Sequence, residues 1–306
     1  MTRKLRIGRS DKASLWQQWI HRPQRLRLRK ALFQVHMWIA IGMGLYILVI
    51  SVSGSAVVFR REVSRWLVPR TVPSAVGIAL TADELFVAAQ GIYLDYEVVD
   101  VIEARRPNGP AYIVLNRDGE ETRRLFDPYA VEDIGDVYPR TLQLVEWLVD
   151  LHDNLLAGQT GRKINGIAGG LLIVLVLTGA VIWWPGRGRW LHSLIVRPSS
   201  TTPRITWQLH SALGFWSLAM LLVWALTAVY FAYPAPFESM IDYLDPDPTD
   251  FVRPAEAPLL FLIDLHFCRF GGLGVRVLWV ILGFLPAAMF ITGFLMWWKR
   301  VARRRV

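Results

Sequence analysis

The sequence predicts an all-α membrane bundle: four transmembrane helices in two parallel hairpins about an approximate two-fold axis, with a small α+β domain inserted into the first. Three observations predict it: an apolar composition, a lopsided charge distribution and an internal repeat. Of the 306 residues, 53% are hydrophobic and only 19% are charged, and the mean hydropathy is +0.32. A soluble core of this size does not need so much apolar surface, whereas membrane spans of roughly 20 apolar residues do. The 14 Trp against 9 Tyr suit indole rings at bilayer interfaces. The single Cys, Cys268, excludes an intramolecular disulfide framework and any Cys-based iron–sulfur or structural zinc site.

A basic tail (residues 1–30) precedes the first uncharged stretch, 31–59, which is too long for a cleavable signal and reads as a signal anchor. Residues 60–140 form the inserted domain. Residues 141–185 begin with an amphipathic helix near the outer interface and run into the second span, uncharged over 164–185. A loop at 186–204, a third span at 205–237, a loop at 238–274, a fourth span at 275–298 (uncharged from 277) and a tail at 299–306 complete the chain.

Charge orients these spans. The two tails and the 186–204 loop carry 19 of the 34 Lys and Arg against one acid, Asp11, while the other side holds 15 basic residues and 24 acids. The positive-inside rule puts both termini and that loop in the cytoplasm and the inserted domain outside, a layout of a bacterial inner membrane protein in contact with lipid. The pI near 10.0 is therefore topology, and nucleic acid is not an expected partner.

Within the inserted domain, Thr81 followed three residues later by Glu84 opens a helix over 80–93, with Gly91 near its end. Short strands are expected at 97–103, 111–116 and 122–126, separated by turns at 107–110 and 117–119. The segment holds no His, no Cys and no nucleophile motif, and reads as a docking or covering module.

The repeat is the strongest signal. Leu148-Val-Asp-Leu-His152 returns as Leu262-Ile-Asp-Leu-His266, 114 residues on, and without a gap Gly158 meets Gly272, Arg162 meets Arg276 and Gly169 meets Gly283. Thr178-Gly179 likewise meets Thr292-Gly293, and Trp183-Trp184 meets Trp297-Trp298. Spans 1 and 3 match more loosely, through Phe33-Gln-Val-His36 and Trp207-Gln-Leu-His210, with Ser53 and Thr227 each seventeen residues after the His. Four of the six histidines thus fall at paired positions. Topology groups them as His36 with His210 at the inner ends and His152 with His266 at the outer ends.

Two apposed imidazoles in a membrane bundle suit bis-histidine ligation of a haem iron. Gly42, Gly44, Gly166, Gly169, Gly170 and Gly283 would let a porphyrin or a neighbouring helix approach, and Arg162 and Arg276 would pair with its propionates. Plain helix–helix hydrogen bonding by the histidines and interfacial anchoring by the arginines are the structural alternatives. A chemical alternative is a non-haem metal held by His152, His266, Asp150 and Asp264. Against it, Asp and His two positions apart on a helix point to opposite faces. His21, His192 and Cys268 are expected to carry no chemistry.

Gln34-Val-His36, Leu151-His152, Thr178-Gly179 with Trp183-Trp184-Pro185, Leu209-His210, and Leu265-His266 with Thr292-Gly293 together resemble the PepSY-associated transmembrane helix family. The inserted segment, ending in Phe126-Asp-Pro-Tyr129, resembles a PepSY domain. The resemblance implies an inner-membrane protein similar to ferric-siderophore reductases, with two b-type haems on His36, His152, His210 and His266 as axial ligands. It implies an oxidoreductase that reduces a siderophore or other iron(III) chelate at the periplasmic face. No nicotinamide- or flavin-binding signature is present, so electrons are expected from a quinol or a separate reductase. Two further readings stay open: a non-catalytic regulator or anchor whose PepSY domain binds a periplasmic partner, and an accessory subunit of iron-chelate uptake.

Overall fold

The computed structural model describes residues 27–68, 72, 78–104, 106–137, 140–186, 190–197, 201–246 and 253–302. Most of the basic N-terminal tail, with His21, lies outside these, as do Arg187 and Arg189 of the 186–204 loop and the end of the C-terminal tail. The chain divides into two compact units, one made of Ala56–Asp150 and the other of the residues on either side.

The helical unit holds α1 (Arg27–Gly42) and α2 (Gly44–Val57), and later α6 (Gly158–Trp183), α7 (Thr202–Ala232), α8 (Ala235–Leu244), α9 (Ala257–Phe267), α10 (Leu273–Gly283) and α11 (Leu285–Ala302). α6, α7 and the α10–α11 pair are each long and apolar enough to cross a membrane, and α1 with α2 makes a fourth candidate span. This is a multi-pass membrane protein.

The first candidate span is made of two helices. It bends by 61° at Met43, between Gly42 and Gly44, and glycine pairs are a recognised cause of such kinks. Gly44 lies against the Phe290 ring where a Cβ would sit, so the bend and this close approach share one cause.

The fourth span is interrupted only locally, at Phe284, and Leu273–Ala302 still makes one candidate span of 30 residues. Pro286 has no N–H to return to the carbonyl four residues back. The Ser51 hydroxyl of α2 enters the break, donating to the Gly283 carbonyl at 2.5 Å and accepting from the Ala287 N–H at 3.3 Å. Backbone groups left over in an apolar bundle need such partners. At the other end of α6 the Arg29 guanidinium donates to the carbonyls of Ile182 and Trp184, complementing the helix C-terminus.

The unit of Ala56–Asp150 holds α3 (Arg60–Leu67), α4 (Ala82–Ile92), β1 (Glu97–Ile102), β2 (Ala111–Arg117), β3 (Glu120–Asp127), β4 (Glu132–Asp136) and most of α5 (Arg140–Asn154). Thr81 and Glu84 form the capping box that their spacing predicts. Leu85 and Ala89 of α4 pack with Val98, Ile113, Leu115 and Phe126 to make the core.

The sheet is antiparallel in the order β1-β2-β3-β4, one strand more than the three expected. β4 (Glu-Asp-Ile-Gly-Asp) has low strand propensity, and Arg124 of β3 holds it through Asp133 and Asp136. Asp118 (φ 57°) and Gly119 (φ 88°) form a two-residue hairpin turn whose twist matches the strands. The buried Asp127 carboxylate accepts from the Tyr129 and Ala130 N–H groups at 2.8 and 3.1 Å, which gives the Phe-Asp-Pro-Tyr segment its turn.

Candidate functional site

Each of the four paired histidines is held through Nδ1. His36 on α1 approaches the Leu175 carbonyl at 3.0 Å and Thr178 Oγ1 at 3.1 Å, both on α6. His210 on α7 approaches Thr292 Oγ1 on α11 at 2.9 Å. His152 on α5 meets the Ile50 carbonyl at 3.1 Å and Ser53 Oγ at 3.4 Å, both on α2. His266 on α9 meets Thr227 Oγ1 on α7 at 2.6 Å. The hydroxyl partners are the matched repeat residues, so the sequence had marked Thr178 with Thr292 and Ser53 with Thr227 without giving them a role.

These contacts fix the tautomer. Each hydroxyl donates its own proton to the carbonyl four residues before it, at 2.7 to 2.8 Å for Ser53, Thr178, Thr227 and Thr292. The hydroxyl oxygen is therefore left to accept, and a carbonyl can only accept. Nδ1 carries the proton in all four rings, and the lone pair is on Nε2. This is the tautomer of a metal-ligating histidine steered by its outer partner.

The structure also brings the expected pairs together. The ring centroids of His36 and His210 are 6.5 Å apart, and those of His152 and His266 are 6.4 Å apart. An imidazole nitrogen binds a metal at about 2 Å, and the ring centre lies roughly 1.1 Å beyond, so two imidazoles on opposite sides of one iron put their centroids roughly 6.3 Å apart. Both pairs fit that spacing.

Glycines lie beside the rings. A Cβ on Gly179 would stand 3.2 Å from His36 Cε1, one on Gly293 would stand 3.3 Å from His210 Cε1, and one on Gly54 would stand 2.6 Å from His152 Cε1. The Thr-Gly pair of the repeat thus does two jobs: the threonine orients one imidazole and the glycine makes room for it. On the second hairpin, Phe231 and Phe267 pack against His266, with centroids 5.4 and 5.2 Å away. Sequence reasoning missed both rings, which have no aromatic counterpart on the first hairpin.

The two arginines stand less symmetrically. Arg162 pairs with Asp153, and its Nε is buried without a partner among the described residues. Arg276 lies close enough to Cys268 to oppose the upward push that burial gives that thiol. Asn165, also missed, donates to the carbonyls of His152 and Asp153 at 2.9 and 2.7 Å, tying the end of α5 to α6. Among the described residues no three of His, Cys, Asp and Glu come together as a metal site, so the chemistry offered is that of two-histidine sites. His192 is in a short surface turn.

A family model described as PepSY-associated TM region matches the chain over residues 33–260 and again over 246–300. No curated protein matches it.

Proposed function

This chain belongs to the PepSY-associated transmembrane family, and from that premise we propose that it is a haem-b electron-transfer protein that reduces an iron(III) chelate. The carrying observation is the spacing of two histidine pairs, 6.5 and 6.4 Å between centroids, with Nδ1 held in every ring. In this reading His36 and His210 hold one haem and His152 and His266 a second, and the hairpins are related by an approximate two-fold axis. Haem, when bound, supplies one-electron redox chemistry at each level of the bundle. The Arg162 guanidinium, with its buried Nε, would receive a propionate.

The positive-inside count puts the His36/His210 level at the cytoplasmic side and the His152/His266 level at the periplasmic side of an inner membrane. Electrons enter from a quinol or a separate reductase, and a ferric siderophore or similar chelate is the substrate. One electron converts its iron(III) to iron(II), which hard oxygen ligands hold more weakly, so the metal is released. The protein's part is to orient ligands and set potentials, and no side chain need move a proton.

The test is an optical spectrum of the detergent-purified protein, oxidised and dithionite-reduced, with a pyridine haemochrome count. About two b-type haems per chain and reduction of a ferric chelate by the reduced protein are expected. A protein that stays colourless after expression with added haem overturns the reading, and leaves a non-catalytic regulator or an uptake accessory.

A further inference from the structure

Within the outer pair the two histidines are held unequally. His152 has a backbone carbonyl, that of Ile50, at 3.1 Å, with Ser53 Oγ further off at 3.4 Å. A backbone carbonyl cannot be removed by substitution and always accepts. For the His266 ring, Thr227 Oγ1 at 2.6 Å is the one hydrogen-bond partner among the described residues. The two phenyl rings packed on it, Phe231 and Phe267, present carbon and offer no acceptor of comparable strength, and His152 faces it with its centroid 6.4 Å away. Thr227 is itself almost fully buried, at 1% exposure, and its proton is committed to the Val223 carbonyl at 2.8 Å.

We propose that Thr227 is the positioning residue of the outer site: it fixes His266 with Nδ1 protonated and the lone pair on Nε2, the nitrogen that would ligate a haem iron, and sets that ligand's donor strength. The proposal rests on the haem reading above and deepens it. An imidazole whose N–H is hydrogen-bonded is a more basic ligand, which favours the ferric over the ferrous state, and the loss of such outer partners costs about 10- to 100-fold in metal affinity. With the acceptor gone, the His266 ring has no reason to keep its proton on Nδ1. The nitrogen facing the iron then carries a lone pair only part of the time.

Thr227→Val keeps the shape of the side chain and removes the acceptor. Thr227→Ser keeps the acceptor, and Ser53→Ala removes the weaker partner of a histidine that retains its carbonyl. The full-length proteins are purified as expressed. Haem count, low-spin ferric electron paramagnetic resonance signals and potentiometric titration are the readouts. In Thr227→Val the inner signal persists and serves as the folding control. The outer signal is lost through weaker haem affinity, or remains with its midpoint shifted upward. Thr227→Ser restores it, and Ser53→Ala shifts the outer signal and midpoint less than Thr227→Val does. Two haems with unchanged signals and midpoints in Thr227→Val overturn the proposal. So does a Ser53→Ala shift as large as that of Thr227→Val, and so does loss of both haems in the Val and Ser variants alike. A wild-type protein without haem fails earlier and distinguishably, because it overturns the haem reading before any variant is compared.

Discussion

Gly54 lies so close to the ring of His152 that a Cβ on it would stand 2.6 Å from Cε1. Side chains do not pack that tightly, and His152 is tethered through Nδ1 to Ile50, on the same helix as Gly54. The ring can yield only by breaking that tether. Gly54→Ala should therefore lose about one of two haems per chain, whereas Gly274→Ala, which meets nothing within 4 Å, should keep both. Haemochrome counts on the purified variants decide, and an unaltered count in Gly54→Ala would show that the ring is not held where Gly54 meets it.

Pairing makes a prediction that a set of four independent histidines does not. If His36 and His210 share one iron, His36→Ala and His210→Ala each remove the same haem, and the double variant removes no more than either alone. His36→Ala with His152→Ala should instead remove both. Effects of residues that act as one unit are grossly non-additive. A haem count in the His36/His210 double variant that drops by the sum of the singles contradicts the pairing.

In the sheet-bearing unit, the backbone N–H and hydroxyl of Thr81 hold the Glu84 carboxyl below its ordinary value of 4.5. A carboxyl with a depressed folded-state value contributes stability above the unfolded value, and that contribution fades as pH falls through the depressed one. Wild-type thermal stability should therefore decline more steeply below about pH 4.5 than that of Glu84→Gln, the two curves converging in acid. Parallel curves for the two proteins, followed by circular dichroism in detergent, would show that the capping box does not couple to global unfolding.

Much of this arrangement was legible in the sequence, for physical reasons. Apolar runs mark the spans, and a repeat marks residues that share one environment. Thus the four histidines and the Ser53/Thr227 and Thr178/Thr292 pairs stand out in the sequence itself. What the repeat does not carry is what breaks it. Phe231 and Phe267 pack on His266 alone, and Asp153 engages Arg162 on the first hairpin, where the repeat-matched position is Phe267. The Gly44–Phe290 approach and the Ser51 hydroxyl inside the fourth span were also invisible, because each joins residues more than 200 positions apart. β4 was missed because Arg124, not strand propensity, holds it.

The Gly44–Phe290 approach gives the last prediction, because it couples helix packing to a histidine. Association of membrane helices relies on close van der Waals packing at small residues, and the Phe290 ring occupies the place where a Cβ of Gly44 would go. Gly44→Ala alone should cost about 1–3 kcal/mol as overpacking, and Phe290→Ala alone about 3–5 kcal/mol as a cavity. In the double variant the new methyl fills part of the space that the ring vacates. It should therefore be more stable than the two single losses imply, by about 0.5–3 kcal/mol. Detergent-denaturant unfolding of the four proteins measures this, and additivity within about 0.5 kcal/mol would mean that the contact is not formed. His36 is on α1, seven residues before the bend at Met43. Gly44→Ala, which forces ring and helix apart, re-aims that segment and should weaken the His36/His210 haem before the outer one. Phe290→Ala combined with it should bring the inner haem part of the way back.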